Sequence, residues 1–277
     1  MNHSIFYIVI VVLMFTACER QEDVDLKVPY KRKLVASVFI GAGDSLVRAT
    51  LSYTTPVFGA PPAIDIRHAN AATGVMQYRG MQTGFVYDSI GHEHQAIISP
   101  YSAVAGEAYQ FVFTDDLGSV RGTTVIPQPV DLTIQLRFDS TQTPDFPVYV
   151  ADLTYSLQSA VSSYIKLLPV LMLDDSFSLV PMVLETFNPM VLMRPGESVT
   201  SRFVASASLN GLHGLNLRCL IITCDEAYAK HYNATQTVDL GTVLPGSEPT
   251  QFYSNMSNGI GVVASYNICG EQVFQLK

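Results

Sequence analysis

Alternation of apolar and polar residues with a period of two dominates the chain. Val47, Ala49, Leu51 and Tyr53 fall on one side of an extended segment, with Arg48, Thr50 and Ser52 on the other. Tyr109, Phe111 and Phe113 alternate with Gln110, Val112 and Thr114, and Asp115-Asp116-Leu117-Gly118 follows with turn chemistry. The clearest strand places Leu132, Ile134, Leu136 and Phe138 inward and Asp131, Thr133, Gln135, Arg137 and Asp139 outward. Tyr149, Ala151, Leu153, Tyr155 and Leu157 form a partner for it, and Val199, Ser201, Phe203, Ala205, Ala207 and Leu209 another, ending at Asn210-Gly211. Shorter strands fit Ile64–His68 and Met76–Tyr78, and Leu215 to Thr223 is strand-like. Segment 164–193 is more apolar and less regular. Pro169, Pro181 and Pro189 oppose a helix through it, so paired strands are expected.

One helix is predicted, over Asp225–Tyr232. Acid opens it at Asp225-Glu226, Lys230 and His231 occupy its last turn, and Tyr228 and Tyr232 share a face that packs on a sheet. Short strands separated by Gly, Pro and Asn clusters, without helical stripes between them, predict an all-β fold of sandwich type. Pro127-Gln128-Pro129 interrupts the alternation and marks an expected boundary between an N-terminal β-sandwich over 34–127 and a C-terminal β domain over 130–277.

The first residues break this pattern altogether. The apolar run Ile5–Phe15 is far short of the roughly twenty residues needed to span a bilayer. It leads into Thr16-Ala17-Cys18, and the chain then turns charged and polar. A short apolar segment with small residues before a cysteine is the layout of a bacterial lipoprotein signal. Residues 1–17 are the expected signal peptide and Cys18 the site of lipid attachment, although the first four residues lack Lys and Arg and Phe15 stands where Leu is usual. Residues 18–33 are the expected linker, acidic at first (Glu19, Glu22, Asp23, Asp25) and basic at its end (Lys31, Arg32, Lys33).

Composition narrows the functional classes. Hydrophobic residues make up 48% and charged ones 14%, the balance of a well-cored protein rather than a disordered one. A formal net charge of −8 opposes nucleic-acid binding, which needs a basic stripe. Beyond Cys18 stand Cys219, Cys224 and Cys269, whose pairing the spacing leaves open. Cys219 and Cys224 are five apart on a strand-like run and point to opposite faces, so Cys219, beside Leu217 and Ile221, reads as a buried free thiol.

The stretch Glu248-Pro249-Thr250-Gln251-Phe252-Tyr253-Ser254-Asn255-Met256-Ser257-Asn258-Gly259-Ile260-Gly261-Val262-Val263 resembles the end of a Bacteroidota outer-membrane lipoprotein family of unknown function. The Lys33-Leu34-Val35 entry, the Thr54-Thr55-Pro56-Val57 step, Gly106-Glu107-Ala108-Tyr109 and Thr123-Thr124-Val125-Ile126-Pro127 agree with it in order. The resemblance implies an N-terminal immunoglobulin-like or carboxypeptidase-regulatory-like sandwich, then a second, family-specific β domain. It also implies an outer-membrane address, often beside TonB-dependent transporters, and it carries no catalytic residues. Glu19, Glu22 and Asp23 are similar to acidic signals for export to the cell exterior. Apart from the resemblance, Asn258-Gly259 suits a tight turn with positive φ, and Gly261 a close backbone approach, so Asn255–Gly261 reads as a structural corner, with a ligand loop the alternative.

Candidate chemistry is sparse. In an extended chain His92 and His94 of His92-Glu93-His94 would point the same way and could hold zinc, given a third ligand such as Asp88 or His68; a solvated polar turn is the expectation. Asp115-Asp116 and Asp174-Asp175 lack the spaced oxygen ladder of a calcium loop and suit hairpin turns. No glycine elbow flanks a serine, and zinc-protease and phosphate-loop spacings are missing. With no Trp and 14 Tyr, several of them on core faces, the chain is poorly equipped to stack sugars. The expectation is a membrane-anchored, non-enzymatic binding or accessory module without cofactor or metal, partnered by the membrane through its lipid and by a TonB-dependent transporter. The alternative is a structural or adhesive surface protein. The ligand, small molecule or glycan, is not legible in the residues.

Overall fold

The structure, a computed structural model, describes residues 31–54, 69–98, 102–141, 148–173, 176–181, 183–184, 190, 192–206, 215–236 and 253–276. The chain divides into two compact units, Met1–Lys31 and Arg32–Lys277. Of the first, only Lys31 is described, so Cys18, the apolar run and the acidic residues after it lie outside the described residues. So do Ile64–His68, Asp174-Asp175 and Asn210-Gly211. The second unit is built of β-sheets with one short helix.

Eight strands come first: β1 (Leu34–Gly41), β2 (Leu46–Tyr53), β3 (Thr73–Tyr78), β4 (Met81–Gly84), β5 (Val86–Asp88), β6 (Glu93–Ile97), β7 (Ala108–Asp115) and β8 (Gly118–Val125). Sheet β4-β3-β7-β8 shares one core with β1, β2 and β6. The alternation does what it predicts: Val47, Ala49 and Leu51 are buried from β2, and Tyr109, Phe111 and Phe113 from β7. Burying a side chain of this size removes it from water at a gain of about 1.5–3 kcal/mol each.

After the Pro127–Pro129 break come β9 (Leu132–Thr141), β10 (Val148–Leu157), β11 (Ser163–Leu173), β12 (Ser176–Pro181), β13 (Val183–Leu184), β14 (Leu192–Met193), β15 (Ser198–Ser206) and β16 (Leu215–Cys224). Sheet β13-β15-β10-β9 shares a second core with β11 and β16. Segment 164–193 thus holds paired strands where described. Pro169 sits in β11 opposite Cys219 of β16, between the stretches of β11 that pair with β14 and with β12, so its missing N–H is demanded by no described neighbour.

The helix, α1 (Glu226–Gln236), is longer than the expected Asp225–Tyr232 and begins one residue later. Asp225 is its N-cap, accepting the Tyr228 amide at 2.7 Å. Nothing in Asn233-Ala234-Thr235-Gln236 breaks a helix, so it runs on and leaves no basic residue in its last turn. Tyr228 and Tyr232 do pack on the sheet, against Met190 and Cys224.

The last strand, β17 (Ile260–Gln275), joins everything. Residues 260–266 pair parallel with β1, and residues 266–275 pair antiparallel with β16. One nine-stranded sheet results, with the path β12-β11-β16-β17-β1-β2-β6-β5 and β14 beside β11. Both cores draw on the end of the chain, Met256 and Val263 in the first and Cys269, Phe274 and Leu276 in the second. The register shifts near Cys269: Ile222 faces Ile268 but Ile221 faces Gly270. This bulge moves the core-facing residues from odd positions (Val263, Ser265, Asn267) to even ones (Gln272, Phe274, Leu276).

Two glycines carry this strand. Gly261 has φ +136°, and a Cβ there would overlap the Ala36 carbonyl oxygen and lie 2.7 Å from its carbon. Gly270, in the bulge, has φ +144° with open space around it. Gly261→Ala should therefore lower the unfolding free energy by about 3 kcal/mol or more, strain and overlap together, against about 1 kcal/mol for Gly270→Ala. Urea denaturation of the two variants checks the difference; equal losses would contradict the close approach to β1.

Candidate functional site

The C-terminal motif forms a corner in which its polar atoms are consumed. Residues 261–265 of β17 pair with β1 on one side only, so the opposite edge needs other partners. Ser254 Oγ accepts the Gly261 amide at 3.1 Å. The Asn255 side chain mimics a neighbouring strand: Oδ1 accepts the Val263 amide at 2.9 Å and Nδ2 donates to the Val263 carbonyl at 2.7 Å. Met256 is buried in the first core, and Ser257 makes a two-way backbone bridge with Arg121 of β8. Asn258 adopts the left-handed turn conformation (φ 65°). These bonds account for the motif as a structural corner; residues 248–252 of the stretch lie outside the described residues.

Asp225 completes the same edge. Its Oδ2 accepts the Ser265 amide at 3.1 Å and the Thr124 hydroxyl from β8, with Ser265 Oγ also 3.1 Å away. Its own amide donates to the Ser265 carbonyl at 3.0 Å. Burial raises the carboxyl above its usual range, opposed by the hydrogen bonds from Thr124, Tyr228 and Ser265. One carboxylate thus caps α1 and ties β8 to β17. Sequence reading finds acid at the helix start, a local signal, though it places Asp225 within the helix rather than at its cap. It misses the tie, which depends on partners far away in the chain.

The histidine pair does not converge. His92 lies before β6 begins, in a left-handed turn (φ 53°), so the extended geometry that would aim both rings one way is not present. His92 is exposed, with Nδ1 3.2 Å from the Tyr87 hydroxyl. His94 is buried, and its Nε2 donates to the Ala69 carbonyl at 3.1 Å. Asp88, a candidate third ligand, accepts from the Ile90 amide and Gln95 Nε2. Glu93 takes the other Gln95 contact and an ion pair with Arg48. His68 lies outside the described residues, and no group of three metal-binding side chains is gathered among the described ones. Asp115 sits in the β7–β8 hairpin, its Oδ1 accepting the Leu117 amide at 2.8 Å.

The three described cysteines are free thiols. Cys219 is wholly buried in the second core, and burial pushes its pKa up to about 12, so it is inert as a nucleophile. Burial likewise raises Cys224 to about 12, helped by nearby Asp225; its Sγ packs 3.1 Å from Met190 Sδ. Cys269 occupies the β17 bulge, where its sulfur accepts the Val130 amide at 3.4 Å.

Open grooves lie on the sheet faces of the described residues. One, of about 430 Å³, runs along the outer face of β1 and β2 between Phe39, Asp44, Arg48 and Tyr266. Another, of about 550 Å³, lies on the outer face of β3 and β7, with Gln77, Gln82 and Gln110 along it. Neither gathers a nucleophile with a base. No helix among the described residues is long and apolar enough to cross a membrane. No family model matches the chain, and no curated protein does. Among solved structures, bovine butyrophilin is similar over 69% of this chain and 92% of that one, at 12% identity and a TM-score of 0.21, an overlap that carries neither fold nor function across.

Burial gives this region one measurable consequence. His94 is held below its ordinary 6.5 by burial, partly offset by the bond to Ala69, and burial lowers His231 as well. The unfolded chain then takes up protons before the folded one, so this stability is complete above the unfolded value and declines as pH falls through it. The urea midpoint should fall between about pH 7 and about pH 5. His94→Gln, which keeps a donor for Ala69, should show a shallower fall. An unchanged slope would contradict a neutral, buried His94.

Proposed function

We propose that the protein is a lipid-anchored outer-membrane lipoprotein, held through Cys18 and facing the cell exterior. In this reading it acts as a non-enzymatic binding or accessory module for a TonB-dependent uptake system. The observation that carries the proposal is the passage from the apolar run Ile5–Phe15 through Thr16-Ala17 to Cys18, followed at once by a charged linker. The resemblance of the C-terminal stretch to a Bacteroidota lipoprotein family supports it. In that family reading, the N-terminal half is an immunoglobulin-like or carboxypeptidase-regulatory-like sandwich and the rest a family-specific β domain. The chemistry of the described residues is in keeping: Asp225, Ser254, Asn255 and His94 Nε2 are engaged in hydrogen bonds within the fold, and open sheet faces and loops are left for recognition.

Cys18→Ala should abolish labelling by a palmitate analogue and release the protein from membranes; persistent labelling would overturn the anchor. Crosslinking and pull-down of the wild-type protein from native membranes should recover a TonB-dependent transporter. Recovery solely with extracted surface polymers would replace this reading by a structural or adhesive role.

A further inference from the structure

We propose that β9 is a self-association edge, along which two copies of this chain pair antiparallel about a two-fold axis at Ile134. β9 is the outer strand of sheet β13-β15-β10-β9, ten residues long and without proline. Its inner side pairs with β10 through every residue from Leu132 to Thr141, and no described hydrogen bond reaches its outer side. A strand of this kind leaves alternate N–H and C=O groups open as a template for another strand.

The other described edges are blunted. β4, β5 and β13 have four, three and two residues. β12 ends in Pro181, and β8 is bridged to Ser257. β17 beyond Tyr266 carries the bulge at Cys269. β9 has none of these devices, nor any inward charge. Its core-facing Leu132, Leu136 and Phe138 stay half-buried although Ile134 is buried, so the second core is incompletely covered along this side.

The residues of β9 select the partner and the register. The side-chain period of two allows only registers centred on a residue, because any other sets inward residues against outward ones. Centring on Gln135 places Asp131 opposite Asp139, and centring on Arg137 sets that arginine against itself, both repulsive. Centring on Thr133 or Leu136 forms no ion pair, and centring on Phe138 pairs Arg137 with Asp139 twice but sets Leu136 opposite Ser140 and leaves Leu132 and Ile134 outside the paired stretch. Centring on Ile134 sets Asp131 opposite Arg137 twice, Leu132 opposite Leu136 twice, Thr133 opposite Gln135 twice, and Ile134 against its copy. Asp152, which faces Arg137 from β10 and feels its charge, is already held by Arg202 at 2.7 and 3.0 Å, and among the described residues neither Asp131 nor Arg137 makes a salt bridge at contact distance. Pairing two such edges continues the sheet through eight strands.

The test is the protein mass of the full chain in detergent, measured by light scattering. Wild type should appear at twice the chain mass. Asp131→Arg and Arg137→Asp, each setting like charges opposite, should appear at one chain mass, and the double variant should return to twice. A wild-type monomer would overturn the proposal, as would single variants that remain dimeric. Should a charge variant fail to fold, the Thr133→Cys, Gln135→Cys double variant decides. It should form a disulfide-linked dimer under mild oxidation that wild type does not, and no linked dimer would equally overturn the pairing.

Discussion

The pairing of β17 with β1 on one side and β16 on the other is the constraint on which the rest of the fold depends. It brings Ile260 against Val35 across most of the length of the chain. Loop-closure entropy rises only with the logarithm of length, so this closure is thermodynamically tolerable. Contacts of such separation give the chain high contact order, the topology of slow folding, with the last strand as its latch. Without it, β1 and β16 are each paired on one side only, and both cores lack residues they hold in the folded state. Because β17 serves two ladders in turn, its first half would leave one edge bare beside β16. Ser254, Asn255 and Asp225 supply that edge with side-chain oxygens and an amide, as a further strand would.

This arrangement bears on where function can reside. The polar residues that attract attention in the sequence are those the latch consumes. A Tyr-Ser-Asn stretch ahead of Asn-Gly looks like a ligand loop until its hydrogen bonds are traced; each bond then ends on the backbone of β17 or β8. Asp225 is likewise consumed, by the Thr124 and Ser265 hydroxyls and the Ser265 and Tyr228 amides, and its buried carboxylate would be costly without these donors. His94 spends its one N–H on Ala69 and buries the other nitrogen without a partner. What remains for recognition among the described residues is surface: open grooves, the loops and the strand edges.

Much of the architecture was legible in the sequence because half-buried strands print a period of two. β2, β7, β9, β10 and β15 all show it, and their inward residues could be named from the alternation alone. The features that escaped depend on partners distant in the chain or on departures from the period. In β17 the bulge at Cys269 switches the inward parity midway, so no single alternation describes the strand. Nothing local in Ile260–Tyr266 announces a parallel neighbour at the start of the chain. The helix outran its expected end because its sequence contains no stop signal, and its charges alone misplace the last turn. The two histidines looked convergent only on the assumption of extended backbone, which the left-handed turn at His92 removes. Gly261 and the Asn258 turn were readable, since a residue type demanded by backbone geometry leaves a local trace.

The treatment of edges connects the fold to its setting. A protein that closes one side of a sheet with side-chain oxygens, shortens three edge strands and kinks a fourth has been shaped against stray strand pairing. An exception ten residues long, with its charges in complementary order about its own centre, is therefore informative. A contact built from one strand pair is modest, because association must first offset lost translational and rotational freedom. Two copies tethered by lipid to one membrane would lose much less, since tethering raises their effective concentration as a linker does between joined modules. A modest edge contact is then well matched to the proposed anchored form, in which tethering would strengthen on a surface the dimer expected of the solubilised chain.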